Sequence, residues 1–386
     1  MTTNAPCSNT SFDPASMATP NPSARKPAAA AAVAAAGCCT AMQLDGVEFI
    51  NTSACAVDAD IDIAYTAPAL GVGVSGGVYH GVVRTTGALV AVKFLAAATP
   101  AQAARAHNEI ACHRACGHHP NIVKILGVYA AAHNVLVLPG KPGPAQPYVV
   151  LVTEQLGGGE LFYRIRDGPR LTASQLQHIL AQLAAACDHM HQRGIMHGDL
   201  KLENILLTWP SSWAPLELIA VKIVDFGFGS TARHTITGNY TPSYITPELL
   251  QCEAFRRLQR LAPALRALPV SALGPAIDCP ADMWAVGVVL YFMLECKAPF
   301  VSAAPGVLYM RGVPVDMRAC ILAGRFTPLS QLHPAPAESH MQISFSDLVA
   351  HLLCKMPAER LTASELLIAL GANVHAETSD NVKAYC

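Results

Sequence analysis

The chain has 386 residues, of which 52% are hydrophobic and only 14% charged, with a formal net charge of −1. That balance supplies a sizeable buried core, and it removes the electrostatic case for nucleic acid or an anionic membrane surface as a partner. Thirteen irregularly spaced cysteines without a secretory signal read as reduced thiols, which places the expected compartment inside the cell, cytoplasmic or otherwise.

Residues 1–60 are rich in Ala, Ser, Thr, Pro and Asn, and Asp13 is the only acid before Asp45. Such a segment buries too little apolar surface to offset chain entropy, so the composition predicts a disordered N-terminal segment. An organelle transit peptide is the competing reading of the same acid-poor stretch. Its apolar run, Ala28 to Ala36, falls short of the ~20 residues that a membrane span needs.

From Ile61 the pattern changes. Gly77–Val83 and Leu89–Leu95 read as the strands of a hairpin, Ala101–Cys116 has helical spacing, and Asn121–Tyr129, Val135–Leu138 and Tyr148–Thr153 read as further strands. Residues 139–147, with four prolines and two glycines, read as a surface loop. Beyond Gly159 helices dominate: Thr172–Arg193, Asp282–Glu295 and Phe345–Leu353. A strand-rich first part and a helix-rich second part predict an α+β fold in two lobes. The expected domain runs over 61–371, with a small lobe at 61–155, a large lobe at 156–371 and a short tail at 372–386.

Three stretches carry chemistry. Gly71-Val72-Gly73-Val74-Ser75-Gly76-Gly77-Val78 fits G-x-G-x-x-G-x-V, where glycines let backbone approach phosphate oxygens. A dinucleotide site needs a helix directly after the glycines; here a strand-like run follows and ends in Val90-Ala91-Val92-Lys93. A lysine in an apolar strand is costly unless paired. Glu109 stands at a suitable distance along the chain to be its partner, the alternative being a lysine that snorkels to the surface. The third stretch is His197-Gly198-Asp199-Leu200-Lys201-Leu202-Glu203-Asn204, followed by Asp225-Phe226-Gly227. An aspartate at 199 suits the proton of a substrate hydroxyl, Lys201 suits a transferring phosphoryl group, and Asn204 and Asp225 are hard oxygen ligands for Mg²⁺.

Together these stretches resemble the eukaryotic protein kinase family over residues 61–371. Thr241-Pro242-Ser243-Tyr244-Ile245-Thr246-Pro247-Glu248 resembles the end of its activation segment, Asp282-Met283-Trp284 the start of its long buried helix, and Arg360 the late arginine that pairs with Glu248. The resemblance implies a bilobal serine/threonine kinase fold that uses ATP and Mg²⁺ on protein substrates. Its site would comprise Asp199, Lys201, Lys93 and Glu109 for catalysis, and Asn204 and Asp225 for metal. Gly71, Gly73, Gly76, Val78, Ala91, Lys93, Glu154, Leu156 and Glu160 would hold the nucleotide, with Thr153 as gatekeeper and Glu154–Leu156 as hinge. Gly117–Val123 and Gly158–Phe162 resemble the calcium- and calmodulin-regulated group, plant-type calcium-dependent kinases included. No D-x-[DN]-x-[DN]-G calcium loop and no basic amphipathic tail accompanies them. Glu160 and Glu203 are the acids that flank an upstream arginine in basophilic relatives.

Several positions depart from the family pattern. Gly198 stands where an arginine is common, leaving no charge for a phosphorylated segment; Tyr240, Thr246 and Met356 replace a glycine, an alanine and an aspartate; His113 fills a position normally apolar; and residues 249–281 form a long connection. Cys112, His113, Cys116, His118 and His119 crowd together, which suggests either zinc or, the preferred reading, packing of that helix against the small lobe. A pseudokinase acting as a binding or scaffold module is the competing function, and a small-molecule kinase a third.

Overall fold

In a computed structural model of the chain, the described residues are 41–44, 47–52, 56–66, 68–72, 76–140, 143–209, 215–231, 241–261, 277–301, 309–310, 313–330, 341 and 343–371. The expectations for residues 1–40, Gly73, Tyr240, the middle of the 249–281 connection and the tail 372–386 lie outside them.

The first part is a sheet with two helices. Its elements are β1 (Ala41–Leu44), β2 (Val47–Thr52), α1 (Val57–Asp60), β3 (Ile61–Ile63), β4 (Gly71–Val72), β5 (Gly77–Val83), β6 (Leu89–Ala96), α2 (Pro100–Cys116), β7 (Ile125–Tyr129), β8 (Val135–Leu136) and β9 (Gln146–Glu154). The strands lie in the order β1-β2-β7-β9-β6-β5-β3, with β4 beside β5 and β8 beside β9. The pairing of β5, β6 and β9 is antiparallel, and Lys93 lies opposite Val78 on one side and Leu151 on the other. Alternation along β5 buries Gly77, Tyr79, Gly81 and Val83. One face of the sheet packs Tyr79, Val90, Val92, Phe94, Tyr148 and Val150 together. The other packs Leu95, Val149 and Leu151 under Ala106 and Ile110 of α2. Helix α2 begins cleanly because Thr99 and Gln102 form a reciprocal capping box and Pro100 sits in the first turn.

Two sequence expectations need correction. Composition predicts disorder over residues 1–60, yet β1 and β2 form a hairpin within that span, and β2 runs parallel beside β7 with Ile50 opposite Gly127. Composition averaged over sixty residues hides the strand-competent run Val47-Glu48-Phe49-Ile50-Asn51-Thr52. The open edge of β7 offers that run backbone partners. Gln146 and Pro147, expected in a loop, open β9 and pair with β8.

The second part is helical. It comprises α3 (Leu161–Asp167), α4 (Ala173–His191), β10 (Ile205–Leu207), β11 (Val221–Ile223), α5 (Pro247–Leu261), α6 (Pro280–Glu295), β12 (Tyr309–Met310), β13 (Val313–Pro314), α7 (Val315–Ala323), α8 (Phe345–Leu352) and α9 (Ala363–Ala369). Helix α6 is apolar all round and buried along almost its whole length, the signature of a core helix. Helices α4, α8 and α9 pack with it in one large cluster. The short hairpin β10–β11 pairs Ile205 with Ile223 and lies at the junction with the sheet domain. The two-lobed α+β expectation holds. Among the described residues no helix is long and apolar enough to cross a membrane.

Candidate active site

The junction of the two lobes gathers the charged groups. Lys93 projects from β6, and its Nζ lies 2.5 Å from Glu109 Oε1 on α2 and 2.9 Å from Asp225 Oδ1 after β11. Lys93 is therefore paired rather than snorkelling. Burial opposes its charge, but Asp225 and Glu109 outweigh that and hold the ammonium above its usual range. Burial likewise opposes the Asp225 carboxylate, and Lys93 overcomes it, keeping Asp225 ionised. Asp225 adopts a left-handed backbone (φ 65°), and its Oδ1 also accepts from Gly227 N at 3.1 Å. A Cβ on Gly227 would lie 3.0 Å from Asp225 Oδ1 and 3.2 Å from Glu109 Oε2, so a side chain there would press on both carboxylates of the cluster.

Asp199 sits at the end of a second cluster. Its Oδ2 accepts from Lys201 Nζ at 2.6 Å, and its Oδ1 accepts from Thr241 Oγ1 at 2.9 Å. Lys201 also donates to Thr241 Oγ1 at 3.1 Å. Asn204 spends its amide nitrogen on Asp199, at 2.8 Å to the backbone oxygen and 3.2 Å to Oδ2. That fixes the amide so that its Oδ1 is left as a hard oxygen donor. Both hydrogen bonds of the Asp225 carboxylate fall on Oδ1. Asn204 Oδ1 and Asp225 Oδ2 therefore suit a Mg²⁺ ion, which prefers oxygen ligands and keeps several waters.

The loop that carries Asp199 is anchored from below. The buried Asp282, in the first turn of α6, accepts from His197 N at 2.8 Å, Gly198 N at 2.9 Å and His191 Nε2 at 2.9 Å. Burial pushes its carboxyl up, but these donors prevail and hold it below the usual range. In the sequence Asp282 serves only as a helix marker. Its position, an acid in the first turn of a largely apolar helix, is the signal that it has buried donors to satisfy. Gly198 has φ +78°, and a Cβ there would come 2.6 Å from the Phe228 carbonyl. The missing arginine is thus also a backbone requirement: a left-handed non-glycine residue costs roughly 1–2 kcal/mol before the clash is added. Gly198→Ala is expected to lower the melting temperature by a few degrees and to slow turnover; an unchanged melt and rate would contradict this.

The nucleotide-side expectations are partly gathered. Gly71 pairs with Val78 and Val72 with Gly77, forming the hairpin that faces the Lys93 strand; Gly76 is buried, and Gly73 lies outside the described residues. Ala91 pairs with Thr153, which lies opposite Ile125 on the other side. Glu154 ends β9, with Leu156 two residues on. The side chain of Glu154 turns away, accepting from Lys222 Nζ at 2.6 Å and Lys124 N at 2.8 Å, so only its backbone is left for a base. Glu160 stands at the N-cap position of α3 without a side-chain capping bond, and burial, then the nearby charge of Glu203, push its carboxyl above the usual range. Glu203 Oε2 is buried with no hydrogen-bond partner among the described residues. Tyr244, which sequence reasoning gives no role, accepts from Leu202 N at 3.2 Å and braces the loop.

The Cys/His cluster forms no metal-ligand group among the described residues. His113 bonds Val123 O, the Cys116 thiol donates to Cys112 O, and the rings of His119 and His189 meet at 4.7 Å. Cys112 and Cys116 are packed, but in the large-lobe cluster rather than against the small lobe, which corrects the expected side of that packing.

A two-lobed fold with this ordered set of lysine, glutamate, aspartates and asparagine is the arrangement of the protein kinase fold. Residues 65–369 match the protein kinase domain family, and the chain belongs to it. It is 35% identical over 301 residues to MAP kinase-activated protein kinase 5 of Mus musculus, which covers 77% of this chain and 58% of that protein. It is 27% identical over 311 residues to MAP kinase-activated protein kinase 2 of Oryctolagus cuniculus, covering 79% of this chain and 71% of that one. Among solved structures, the twitchin kinase region from C. elegans matches with a TM-score of 0.57 at 20% identity, over 84% of this chain and 47% of that one, a likeness of fold. The chain thus spans less than two thirds of the length of the first of these relatives. Both of these sequence relatives are named as MAP kinase-activated protein kinases, which agrees with the broader group read from Gly117–Val123 and Gly158–Phe162 but not with calcium-dependent kinases specifically.

Proposed function

We propose that the chain is an ATP-dependent serine/threonine protein kinase, and that the observation carrying this is the joint placement of Lys93–Glu109–Asp225 and Asp199–Lys201–Thr241. In this reading Lys93, steadied by Glu109, orients the phosphates of ATP below the β4–β5 hairpin, while backbone at Glu154–Leu156 holds the base. Asn204 and Asp225 would hold Mg²⁺, which would supply charge neutralisation at the phosphates when bound. Asp199 accepts the proton of the substrate hydroxyl, and Lys201, already beside it, offsets charge on the transferred group. Thr241 fixes both side chains and marks where the acceptor docks. Membership in the family, together with relatives named as protein kinases, favours this over a scaffold role, because each group the chemistry needs is present and in register. We also place the protein inside the cell, on its cysteine usage alone. The test is transfer of radiolabelled phosphate from ATP to a basic test protein; no transfer by the full chain would support the pseudokinase alternative.

A preference for basic residues upstream of the acceptor belongs to the same reading. Two acids, one with an unsatisfied buried oxygen and the other with a raised pKa, are a repulsive pair that a guanidinium would relieve by charge-assisted bonds. A positional peptide array is expected to select arginine a few places before serine or threonine, and Glu203→Gln is expected to weaken that selection several-fold. An array that favours tyrosine acceptors, proline direction or acidic flanks would overturn the preference. Because a bound cation stabilises the carboxylate, KM for arginine peptides should rise as pH falls into the carboxylate range.

A further inference from the structure

The chain between β2 and β3 passes from the β7 side of the sheet to the β5 side. β2 lies beside β7, and β3 pairs with β5, with Ile61 opposite Val83. The connection runs over the face away from α2. Val57 and Ile61 are buried there in one cluster with Tyr129 of β7, Tyr148 of β9, Phe94 of β6 and Tyr79 of β5.

Hydrogen bonds fasten this connection on both sides. Val57 N donates to Oδ1 of the buried Asn134 at 2.8 Å, and Asn134 Nδ2 donates to Ala130 O at 2.8 Å, between β7 and β8. Tyr129 OH donates to Asp60 Oδ2 at 3.1 Å. On the β5 side, Arg84 donates from its backbone N–H to Asp60 O at 2.9 Å and from Nε to Asp58 O at 3.2 Å, and it pairs with Asp62 at 2.5 Å. Residues 57–63 thus form a strap across the sheet.

The strap runs straight into the β4–β5 hairpin. Ala64 N donates to His80 O at 2.9 Å and Leu70 N to Val78 O at 2.7 Å. Between them the half-buried Tyr65 turns back onto the sheet. Its ring meets those of Tyr79 at 5.6 Å and Phe94 at 6.0 Å, and its hydroxyl donates to Asp58 Oδ1 at 3.2 Å. Tyr79 and Phe94 are also what lies behind the glycines. A Cβ on Gly77 would come 2.8 Å from the Tyr79 ring, and one on Gly76 would run into the Phe94 carbonyl. Aromatic contacts of this kind fix geometry as well as burying area.

We propose that Tyr65 is a positioning residue for the β4–β5 hairpin: it joins the strap to the Tyr79–Phe94 layer behind the glycines, so that a strap fastened as far away as Asn134 sets how firmly the hairpin is held over the nucleotide. The part of this that concerns the nucleotide rests on the kinase reading.

The experiment compares Tyr65→Ala, Tyr65→Phe and Asn134→Leu in the full chain, by KM for ATP, kcat and amide hydrogen exchange. Tyr65→Ala is expected to raise KM for ATP about fivefold, with kcat and KM for peptide unchanged. Exchange in β4 and β5 should quicken about fivefold, while α4 and α6 stay as in the wild type. Tyr65→Phe keeps the ring and loses only the exposed bond to Asp58, so both readouts should stay within about twofold of wild type. Asn134→Leu frees the strap at its other end; exchange should quicken in residues 57–63 and, through them, in β4 and β5. A merely structural Tyr65 would instead speed exchange in both lobes and leave KM for ATP unmoved. A wild type without transfer would defeat the kinase reading, and exchange in β4 and β5 would still decide the bracing role. Unchanged exchange in Tyr65→Ala, an unmoved KM for ATP in an active enzyme, a loss in Tyr65→Phe as large as in Tyr65→Ala, or faster exchange in Asn134→Leu that stops at residue 63 would overturn the proposal. Should either variant fail to fold, Tyr65→Leu or Asn134→Ala takes its place with the same expected outcomes.

Discussion

Lys93→Met is expected to cut phosphoryl transfer by about 10³-fold or more, and Asp199→Asn by roughly 10²–10⁴-fold, with the chain still folded in both cases. Among the described residues, Lys93 is the cation that touches both Glu109 and Asp225. Methionine keeps the bulk and apolar stem but removes the charge that would meet phosphate, so both orientation and charge stabilisation go together. The fold survives because Glu109 is already pushed towards its neutral form by burial and can take up a proton once Lys93 is gone. Asparagine at 199 still accepts from Thr241 but cannot accept a proton at neutral pH. The check is a radiolabelled-ATP assay beside a thermal melt. Activity near wild type in either variant would defeat the assigned roles; a collapsed melt would move the blame to folding.

The second large effect is on stability. Arg360 and Glu248 face each other in a bidentate pair, with both contacts at 2.7 Å and side chains 0% and 1% exposed. Arg360 also donates to Cys354 O at 2.7 Å and Pro280 O at 2.9 Å, and lies 5.0 Å over the Trp284 ring. Glu248→Gln leaves a buried guanidinium with no counter-charge, which costs about 3–5 kcal/mol, a large part of a typical total stability of about 5–15 kcal/mol. For a domain of this size that is a fall in melting temperature of roughly 10 °C. Glu248→Leu combined with Arg360→Met removes both charges and is expected to be less damaging than either change alone. A melt for Glu248→Gln within about 2 °C of wild type would show that the pair is solvated or dispensable.

Much of the site is legible in the sequence because its chemistry needs particular residue types in a fixed order. Lys93, Glu109, Asp199, Lys201, Asn204 and Asp225 lie up to 132 residues apart along the chain, yet each stands in a local stretch that singles it out before the structure brings them together. What escapes is whatever depends on backbone groups. The partner of His113 is a carbonyl, and no side-chain pattern announces it. Gly198 reads as a lost charge, whereas its backbone angle is as large a reason for glycine. Glu154 ends β9, but its side chain is claimed by Lys222, a residue with no motif of its own. The β1–β2 hairpin escapes because edge pairing satisfies a strand through neighbours distant in sequence, while composition is read over a window. Local rules thus give the strands, helices and charged cluster, and tertiary hydrogen bonding decides the rest.

Asp282 gives the stretch His197–Gly198 an unusual status. It has no helix or strand of its own, and it borders the cleft where exposed segments normally fray. Yet its amides end on a carboxylate seated in the first turn of the most deeply buried helix. Opening that stretch by itself would strand the charge of Asp282 inside the large lobe, so it has no inexpensive local route to unfold. Its opening free energy should therefore approach that of the whole large lobe, making the strip that presents Asp199 part of the most cooperative unit of the protein, although in shape it is a loop.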